Sequence, residues 1–330
     1  MFWPRFGRCL VGAVCAGVVF GMIGALPVRA APLQLAMLAP PSGGVGGAGF
    51  SVRWGEERSA LAVNPLVAAA GQPVTLQVED AGRGAFTLDA GAGAVQRLGA
   101  AQWRWTAPGK AGAYTLEVAR SDGARMRFTA LVTTPRTALR GGALNGYLIG
   151  DYPQHPAGQT LYRPPEGFIE VDARSAALPL TPHLTLGQFV CKQAARGPRY
   201  VVLRERLPLA LEAALERFAR AGIAAGGLTV MSGYRTPNYN RQLGDTRFSR
   251  HQFGDAADIF IDEDGDGRMD DLNGDGRHDI GDARLLFGIV DTAEREPAWQ
   301  RFTGGLSAYA PNAAHGAFVH IDTRGVKARW

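Results

Sequence analysis

The chain has 330 residues, of which 46% are hydrophobic and 20% are charged, and its formal net charge at pH 7 is +5. This is the composition of a globular protein, and the length suggests about two domains. Arg5, Arg8 and Arg29 all lie within residues 1–30, so without that segment the formal charge falls to +2. The basic balance is therefore no evidence for nucleic-acid binding, and we expect no nucleic-acid partner.

Residues 1–30 are predicted to be a secretory signal peptide. Two arginines precede an apolar run over residues 9–27, and residues 28–30, Val-Arg-Ala, offer small residues for cleavage. The alternative is an uncleaved membrane anchor. Cleavage would leave Cys191 as the single cysteine, so no internal disulfide is expected. We therefore expect a periplasmic or secreted chain without a stable membrane anchor after cleavage.

Residues 31–135 are predicted to form an all-β domain. Apolar and polar residues alternate in "PVTLQVED", "AQWRWTAPGKAGAYTLEVAR" and "ARMRFTALV", which are separated by glycine-containing turns. This period-two pattern predicts antiparallel strands in a small β-sandwich. The pattern resembles a bacterial immunoglobulin-like module. Trp103 and Trp105 are interpreted as strand packing, the alternative being a carbohydrate-binding surface.

Residues 136–180 are predicted to be a connector, and residues 181–330 a mixed α and β domain. Pro208 suits the first turn of a helix and Gly222 its end. Strands are predicted in "GGLTVMSGYRT", "DAADIFI" and "GAFVHIDTR". The helix between Pro208 and Gly222 is amphipathic, with apolar side chains on one face at Leu207, Leu211, Leu215 and Phe218.

Possible metal ligands occur on the predicted strands and loops of the second domain. His251 and Asp258 stand seven residues apart around "QFGDAA". "FVHID" supplies His320 on a predicted strand, and "SGYRT" supplies Arg235 at the end of another. Histidine and carboxylate side chains are common metal ligands, so these residues are candidates for a metal site.

Three ordered motifs carry a family resemblance. They are Ser-Gly-Tyr-Arg at 232–235, Ser-Arg-His-x-x-Gly-x-Ala-x-Asp at 249–258 and Phe-Val-His-x-Asp at 318–322. Together they resemble the zinc D-Ala-D-Ala carboxypeptidase family of peptidoglycan peptidases, which includes the VanY-type enzymes. The resemblance covers roughly residues 180–330 and leaves the N-terminal β-region outside it.

The resemblance implies that His251, Asp258 and His320 hold zinc. It also implies hydrolysis of amide bonds in peptidoglycan stem peptides, as a D,D-carboxypeptidase or an endopeptidase, by a zinc-activated water. Arg235 resembles the family arginine that holds a substrate carboxylate or steadies the oxyanion. Asp322 is expected to orient a zinc ligand.

A general base is also needed, and its identity is open. Many relatives place a Glu shortly before the last His ligand, whereas this chain has "NAAHGAFVH". His315 is the matching candidate for a base or an oxyanion stabiliser, and the alternative is a residue that only caps a loop. Gly254 and Ala256 are expected to let the backbone pass close to the ion.

Residues 262–282 carry a second metal pattern and are predicted to be a calcium-loop insertion. Acidic and amide side chains alternate with other residues around glycines, as in an EF-hand or dockerin-type loop. The alternative is a solvated acidic loop. Calcium here is expected to rigidify the strand that carries Asp258. The first overlapping loop has Asp262, Asp264 and Asp266, and the second has Asp271, Asn273, Asp275, Asp279 and Asp282, with Asp282 where Glu is usual.

The sequence therefore predicts an α+β zinc peptidase domain with a small antiparallel sheet, preceded by an all-β immunoglobulin-like sandwich. The predicted partner is the peptide stem of peptidoglycan, and the predicted cofactors are zinc and calcium. One alternative function is a non-catalytic cell-wall-binding or structural module with a metal site. Another is an amide hydrolase that uses the same zinc scaffold on a peptide from outside the wall.

Overall fold

The computed structural model of the chain describes residues 46–79, 81–154 and 160–330. The predicted signal peptide, residues 1–30, lies outside the described residues. Most of the regular structure in the described residues is β-strand in largely antiparallel sheets, and only three segments are α-helical: α1 Arg206–Arg220, α2 Pro237–Gln242 and α3 Ile280–Ala293. None of the helices in these ranges is both long and apolar enough to cross a membrane.

The strands are short and run through most of the described chain. In chain order they are β1 Gly47–Trp54, β2 Glu57–Leu61, β3 Val63–Ala69, β4 Pro73–Val78, β5 Phe86–Ala90, β6 Ala94–Gly99, β7 Gln102–Thr106, β8 Gly112–Arg120, β9 Arg125–Pro135, β10 Ala143–Leu144, β11 Tyr147–Leu148, β12 Gly167–Val171, β13 Arg199–Val201, β14 Thr229–Ser232, β15 Ala256–Phe260, β16 Gly305–Tyr309, β17 Phe318–Asp322 and β18 Ala328–Arg329.

Two sheets share a core in the N-terminal part. One has the order β2-β1-β4-β7-β6, and the other has β13-β12-β9-β8-β5 with β3 parallel to β9. Phe50 packs edge-on against Phe86 with ring centroids 5.2 Å apart, and Trp54 packs against Phe128 at 5.0 Å. Each of these buried pairs joins a strand of one sheet to a strand of the other, so the sheets are held by apolar burial between them.

The alternating segments form the predicted strands β4, β7, β8 and β9. Trp103 and Trp105 are 3% and 0% exposed, while Arg104 between them is exposed. The interpretation of both tryptophans as strand packing is confirmed. A carbohydrate-binding surface made by them is wrong, because neither ring reaches solvent.

The second sheet extends beyond the N-terminal strands. Gly167 of β12 pairs with Pro135 of β9, and Ile169 of β12 pairs with Val201 of β13. Strand β12 from the predicted connector and strand β13 from the predicted second domain thus complete a sheet of the predicted first domain. The predicted boundaries at 135 and 180 stay predictions.

The C-terminal sheet has the order β14-β15-β17-β16-β18. Helix α1 begins at Arg206 and ends at Arg220, and its predicted apolar face is buried. Gly222 follows with φ +86°, the left-handed conformation that stops a helix at low steric cost. Helix α3, which the sequence did not predict, packs against β16, β17 and α1.

Candidate metal centre

Strand register brings the predicted ligands together. In the β15–β17 pair, Asp258 lies directly opposite His320, and in the β14–β15 pair it lies opposite Ser232. His251 lies in the 3-10 turn Arg250–Phe253, just before β15. Ligand atoms of His251, Asp258 and His320 all lie within 4.8 Å of one another. These residues are called the metal centre below.

Asp258 joins the two histidines. Its Oδ1 lies 3.2 Å from Nε2 of His251 and 2.9 Å from Nδ1 of His320. The two imidazole centroids are 5.1 Å apart, and all three side chains are buried. Two nitrogens and one carboxylate oxygen therefore converge on one point inside the protein.

The other nitrogen of each imidazole has its own acceptor. Nδ1 of His251 lies 2.7 Å from the Gly233 carbonyl oxygen, to which it donates. Nε2 of His320 lies 3.2 Å from Oδ2 of Asp322. Such contacts set the tautomer and the ring orientation, so they leave Nε2 of His251 and Nδ1 of His320 directed at the centre. The expected orienting role of Asp322 agrees with this contact.

Arg235 is held by three side chains. Its guanidinium donates to Asp258 Oδ2 at 2.6 Å, to Asp245 Oδ2 at 2.7 Å and to Ser232 Oγ at 2.8 Å. The contact with Asp258 occupies the carboxylate oxygen that does not face the histidines. In this arrangement Arg235 fixes the Asp258 carboxylate. Asp245, its partner from a loop, was not singled out by the sequence.

Burial and charge act in opposite directions on the centre. Burial raises the pKa of Asp258, but the imidazoles of His251 and His320 outweigh it and hold that pKa below its ordinary value. Burial lowers the pKa of His320, whereas the carboxylates of Asp258 and Asp322 raise it to about 9. The Asp258 carboxylate therefore favours a positive charge beside it, which a bound metal ion would supply.

The residues fit zinc. Two imidazole nitrogens and one carboxylate oxygen form a donor set that catalytic zinc sites use. Each imidazole is oriented by a second hydrogen bond, as zinc-binding histidines commonly are.

Two glycines near the metal centre lie so close to neighbouring atoms that neither position has room for a side chain. Asp322 accepts from the Gly305 N–H at 2.8 Å and pairs with Arg324. A Cβ on Gly305 would overlap the Asp322 carboxylate. Gly254 has φ +73°, and a Cβ there would overlap the Val202 carbonyl. Glycine at 254 is thus required by the contact with Val202, rather than by the approach to an ion that the sequence suggested.

His315 lies in the loop before β17. Its Nδ1 lies 2.8 Å from the Gly316 carbonyl oxygen, and its Nε2 lies 2.7 Å from the Asn312 amide nitrogen. Its ring packs edge-on against Phe318 at 4.9 Å. Both ring nitrogens therefore have partners within the same loop, and the role of His315 as a base stays a prediction.

The acidic loop, residues 262–282, is largely exposed and bonds to its own backbone. Oxygens of Asp262, Asp264 and Asp270 lie within 4.8 Å of one another, while Asp266 accepts from the Arg268 N–H. The carboxylate of the buried Asp282 accepts from three backbone N–H groups, including that of Asp279 at the start of α3. In the same way, Asp271 accepts from Gly274, Asp275 and Gly276, Asn273 accepts from Asp275, Asp275 accepts from Arg277, and Asp279 accepts from Gly281.

The metal centre is thus a buried site of two histidines and one carboxylate, built from a 3-10 turn and two antiparallel strands of the C-terminal sheet. Residues 190–273 match the family described as Peptidase M15. The matched range contains His251 and Asp258. The match supports a peptidase of the M15 zinc peptidase family, which includes VanY-type D-Ala-D-Ala carboxypeptidases, and it does not identify the particular member.

Two further comparisons add little. Among solved structures, the chain is similar to Bacteroides ovatus mixed-linkage glucan utilization locus (MLGUL) SGBP-B in complex with mixed-linkage heptasaccharide, at 14% identity and a TM-score of 0.16. The similarity covers 31% of this chain and 29% of that chain, and a TM-score this low supports no inference. No curated protein matches the chain.

Proposed function

We propose that the chain is an exported zinc metallopeptidase that hydrolyses amide bonds in the peptide stems of peptidoglycan. The convergence of His251, Asp258 and His320 within 4.8 Å carries this proposal, and the family match over residues 190–273 supports it. The zinc ligands would be Nε2 of His251, Oδ1 of Asp258 and Nδ1 of His320. Zinc supplies Lewis-acid activation of a water nucleophile and of the scissile carbonyl.

The surrounding residues keep the ligand atoms in place. The Gly233 carbonyl holds His251, Arg235 holds Asp258 and Asp322 holds His320. Ligand atoms that are fixed before substrate binds need little reorganisation during the reaction. Arg235 donates to Ser232, Asp245 and Asp258 through three of its N–H groups, so its predicted contact with a substrate carboxylate or oxyanion would use the remaining N–H groups of the guanidinium.

The proton from the water nucleophile needs an acceptor. Because Nδ1 of His315 donates to a carbonyl, Nε2 is its basic nitrogen, and the Asn312 amide donates to it. His315 would act as a base by releasing Asn312 when substrate enters. If it only caps the loop, His315→Gln will lower turnover no more than Asn312→Ala does. If it is the base, His315→Gln will lower turnover by roughly a hundredfold or more.

The cellular setting of the proposal follows from the N-terminal segment. The predicted signal peptide supports export to the periplasm or beyond, where stem peptides are accessible. The N-terminal β-region would position the peptidase on the wall or on a partner. The bond cleaved would be D-Ala-D-Ala at a chain end for a carboxypeptidase, or another stem bond for an endopeptidase.

Digestion of purified peptidoglycan by the mature chain tests the function, with products analysed by mass spectrometry. We expect loss of D-Ala or of cross-linked dimers with zinc present. Chelation and His251→Ala should each abolish that loss. Intact muropeptides beside a zinc-loaded protein would instead favour a non-catalytic wall-binding module. Cleavage of ordinary L-peptides alone would move the substrate outside the wall.

We also propose that the acidic loop binds calcium. The spacing of its carboxylates, together with the approach of Asp262, Asp264 and Asp270 to within 4.8 Å, supports an oxygen-rich site. The loop begins four residues after Asp258, so an ion there would stiffen the end of the strand that carries a zinc ligand. Unchanged folding and activity after selective removal of calcium would contradict this role.

A further inference from the structure

A cleft lies between helix α1 and strand β2, and it is called the α1 cleft below. Its volume is about 640 Å³, which is the size of a small-ligand site. One wall is a face of α1, on which Leu209, Glu212, Glu216 and Ala219 recur every three or four residues. The other wall is formed by β2 and the 3-10 turn Gln300–Phe302. None of the described residues that line the cleft belongs to the metal centre.

Arg301 places a half-buried guanidinium in the α1 cleft. Its Nη1–H donates to the Arg58 carbonyl oxygen at 2.5 Å, and its guanidinium carbon lies 4.3 Å from the centroid of the Phe302 ring. Among the described residues it forms no salt bridge and no second hydrogen bond. Nε and Nη2 thus have no partner there, and neither nitrogen is sealed from solvent. The guanidinium is therefore a donor that a ligand in the cleft can use.

The charges around Arg301 leave it under-compensated. Burial lowers the pKa of Arg301, and the positive charges of Arg58 and Arg206 add to this effect against the carboxylates of Glu57 and Glu79. Glu57 is itself paired with Arg206 at 2.7 Å, and Glu79 is exposed. An anion beside the guanidinium would supply the missing compensation.

The free edge of the guanidinium selects the type of anion. Because Nη1 of Arg301 is used, Nε–H and Nη2–H remain as two parallel donors, which match the two oxygens of a carboxylate. The cleft also contains three carboxylates. Glu212 and Glu216 each have a basic partner, whereas Glu79 forms no salt bridge with any described residue. Repulsion from Glu79 disfavours a doubly charged ligand, so a single carboxylate fits best.

The rest of the cleft is apolar. Leu209 and Leu215 of α1, Phe302 of the turn and Leu61 of β2 line it. The first three are at most 6% exposed, so they form a firm floor. A ligand that fills this cleft therefore carries an apolar body behind its carboxylate, because burial of apolar surface stabilises the complex.

Strand β2 indicates that this body is a peptide. It is the outermost strand in the order β2-β1-β4-β7-β6, so one of its edges has no strand beside it within the described ranges. Residues 58–61 of β2 line the cleft, and the Arg58 carbonyl oxygen is directed toward it, since it accepts from Arg301. A free strand edge binds an extended peptide through main-chain hydrogen bonds, which a fatty acid could not form.

We propose that the α1 cleft binds the carboxyl-terminal end of a short apolar peptide, whose carboxylate is held by Nε and Nη2 of Arg301. The peptide backbone lies along β2, and its side chains pack against α1. This site needs neither a metal nor turnover, so it goes beyond the proposed peptidase function and does not rest on it. A bound peptide would link β2 of the N-terminal sheet to α1 of the C-terminal part.

Isothermal titration calorimetry of the mature chain tests the carboxylate contact. The probes are acetyl-Leu-Leu with a free carboxylate and acetyl-Leu-Leu-amide, which lacks the charge. We expect the wild type to bind the free acid roughly tenfold or more tightly than the amide, because a charge-assisted pair of hydrogen bonds is lost in the amide. Arg301→Met should abolish this preference. Arg301→Lys should keep part of it, because the charge remains without the planar fork.

Ala219→Phe tests the location of the site without removing any contact of Arg301. Ala219 is exposed on α1 and lines the cleft, so a phenyl ring there should block both peptides. Arg125→Met is the matched control, because Arg125 is an exposed arginine on β9 that pairs with Glu117 and does not line the cleft. It should bind both peptides as the wild type does. Thermal unfolding of every variant checks that the fold is kept.

The outcomes separate this proposal from the proposed function. The free acid is also titrated into the wild type after zinc chelation and into His251→Ala. Equal affinity in all three proteins supports a site apart from the metal centre, whereas binding that requires zinc overturns it. An acid preference that survives Arg301→Met, binding that survives Ala219→Phe, or no binding of either peptide also overturns it. Binding of octanoate without either peptide overturns the peptide as the occupant. A wild type that cleaves no wall peptide contradicts the proposed function alone.

Discussion

The metal centre and the acidic loop stand next to each other in the sequence but are built in different ways. The metal centre draws its ligands from a 3-10 turn and two strands, and each ligand is buried and fixed by a further partner. The acidic loop is exposed and local, and most of its carboxylates accept N–H groups from their own loop. The comparison shows that the fold is needed to assemble the first, whereas the second is assembled by local turns.

Removing a ligand of the metal centre should have the largest effect on activity. His251→Ala removes one of two nitrogen donors from a buried centre that local structure cannot rebuild. We expect zinc to be lost and kcat/KM to fall roughly a thousandfold or more, because the metal supplies several kcal/mol of transition-state stabilisation. Metal analysis and peptide cleavage measure the two effects.

The control for that variant comes from the acidic loop. His278 lies there, and its Nδ1 bonds to the Met269 carbonyl oxygen at 2.9 Å. His278→Ala should keep both zinc and activity. Equal losses of zinc and activity in the two variants would mean that the metal centre and the acidic loop form one site.

A residue behind the ligands gives the next largest effect. Asp322→Asn keeps the shape of the side chain but weakens the acceptor for His320 and the pairing with Arg324. We expect zinc affinity to fall about 10- to 100-fold, as for other residues that orient metal ligands. Competition with a chromophoric chelator measures the affinity.

Asp291→Asn is the matched control for Asp322. Asp291 lies on α3 and pairs with Lys327 and Arg329 outside the metal centre. Its loss should leave zinc affinity unchanged. An unaltered affinity in Asp322→Asn would show that His320 is oriented by packing alone.

Sequence reasoning identified the residues that carry a motif. His251, Asp258 and His320 were named from the resemblance of their motifs to a known family, and the fold brings the three side chains close together. Gly233, Asp245 and Trp330 were not named. Gly233 contributes a backbone carbonyl, Asp245 lies in a loop ten residues beyond Arg235, and Trp330 follows the strand β18, so only tertiary contacts place these residues beside the centre.

The fold was predictable to a similar degree. Strands β4, β7, β8 and β9 follow clear alternation, but β1 was missed although Phe50, Val52 and Trp54 alternate within it. Glycines at 47 and 49 weakened the strand signal there. Strand β12 was placed in a connector because its neighbours are rich in Pro and Gly, and only its pairing with β9 reveals its sheet. The parallel β3–β9 pair joins segments that are distant in sequence, which local pattern does not predict.

The carboxylate of Glu205 shows the effect of burial on a pKa more directly than Asp258 does, because no histidine lies beside it to offset that effect. Glu205 accepts from the Val67 N–H at 2.6 Å, and its carboxylate is enclosed although the residue as a whole is only half-buried. Burial raises the pKa of Glu205 from its ordinary value of 4.5 to about 7. The unfolded chain therefore ionises this group at lower pH than the folded chain does.

The free energy of unfolding should therefore fall as pH rises from about 4.5 to 7, by roughly 3 kcal/mol from this group. Below that window Glu205 is protonated in both states, and above it the cost is constant. Glu205→Gln keeps an acceptor for Val67 and should flatten this part of the profile. Urea denaturation of both proteins at several pH values measures it. Parallel profiles would show that the Glu205 carboxylate is hydrated in the folded state.

Calcium binding by the acidic loop should have the smallest effect, which is a gain in thermal stability. At a tenfold excess over its Kd, an ion that binds only the folded chain stabilises it by roughly 1 kcal/mol. Asp264→Asn should abolish that gain if Asp262, Asp264 and Asp270 form the site, whereas Asp266→Asn should spare it because Asp266 is not one of these three clustered carboxylates. Asp172→Asn, which alters an exposed carboxylate that accepts from Ser175 elsewhere, is the control. Thermal unfolding with calcium and after its selective chelation measures the gain. If calcium does not stabilise the wild type, the acidic loop is a solvated turn and does not bind calcium.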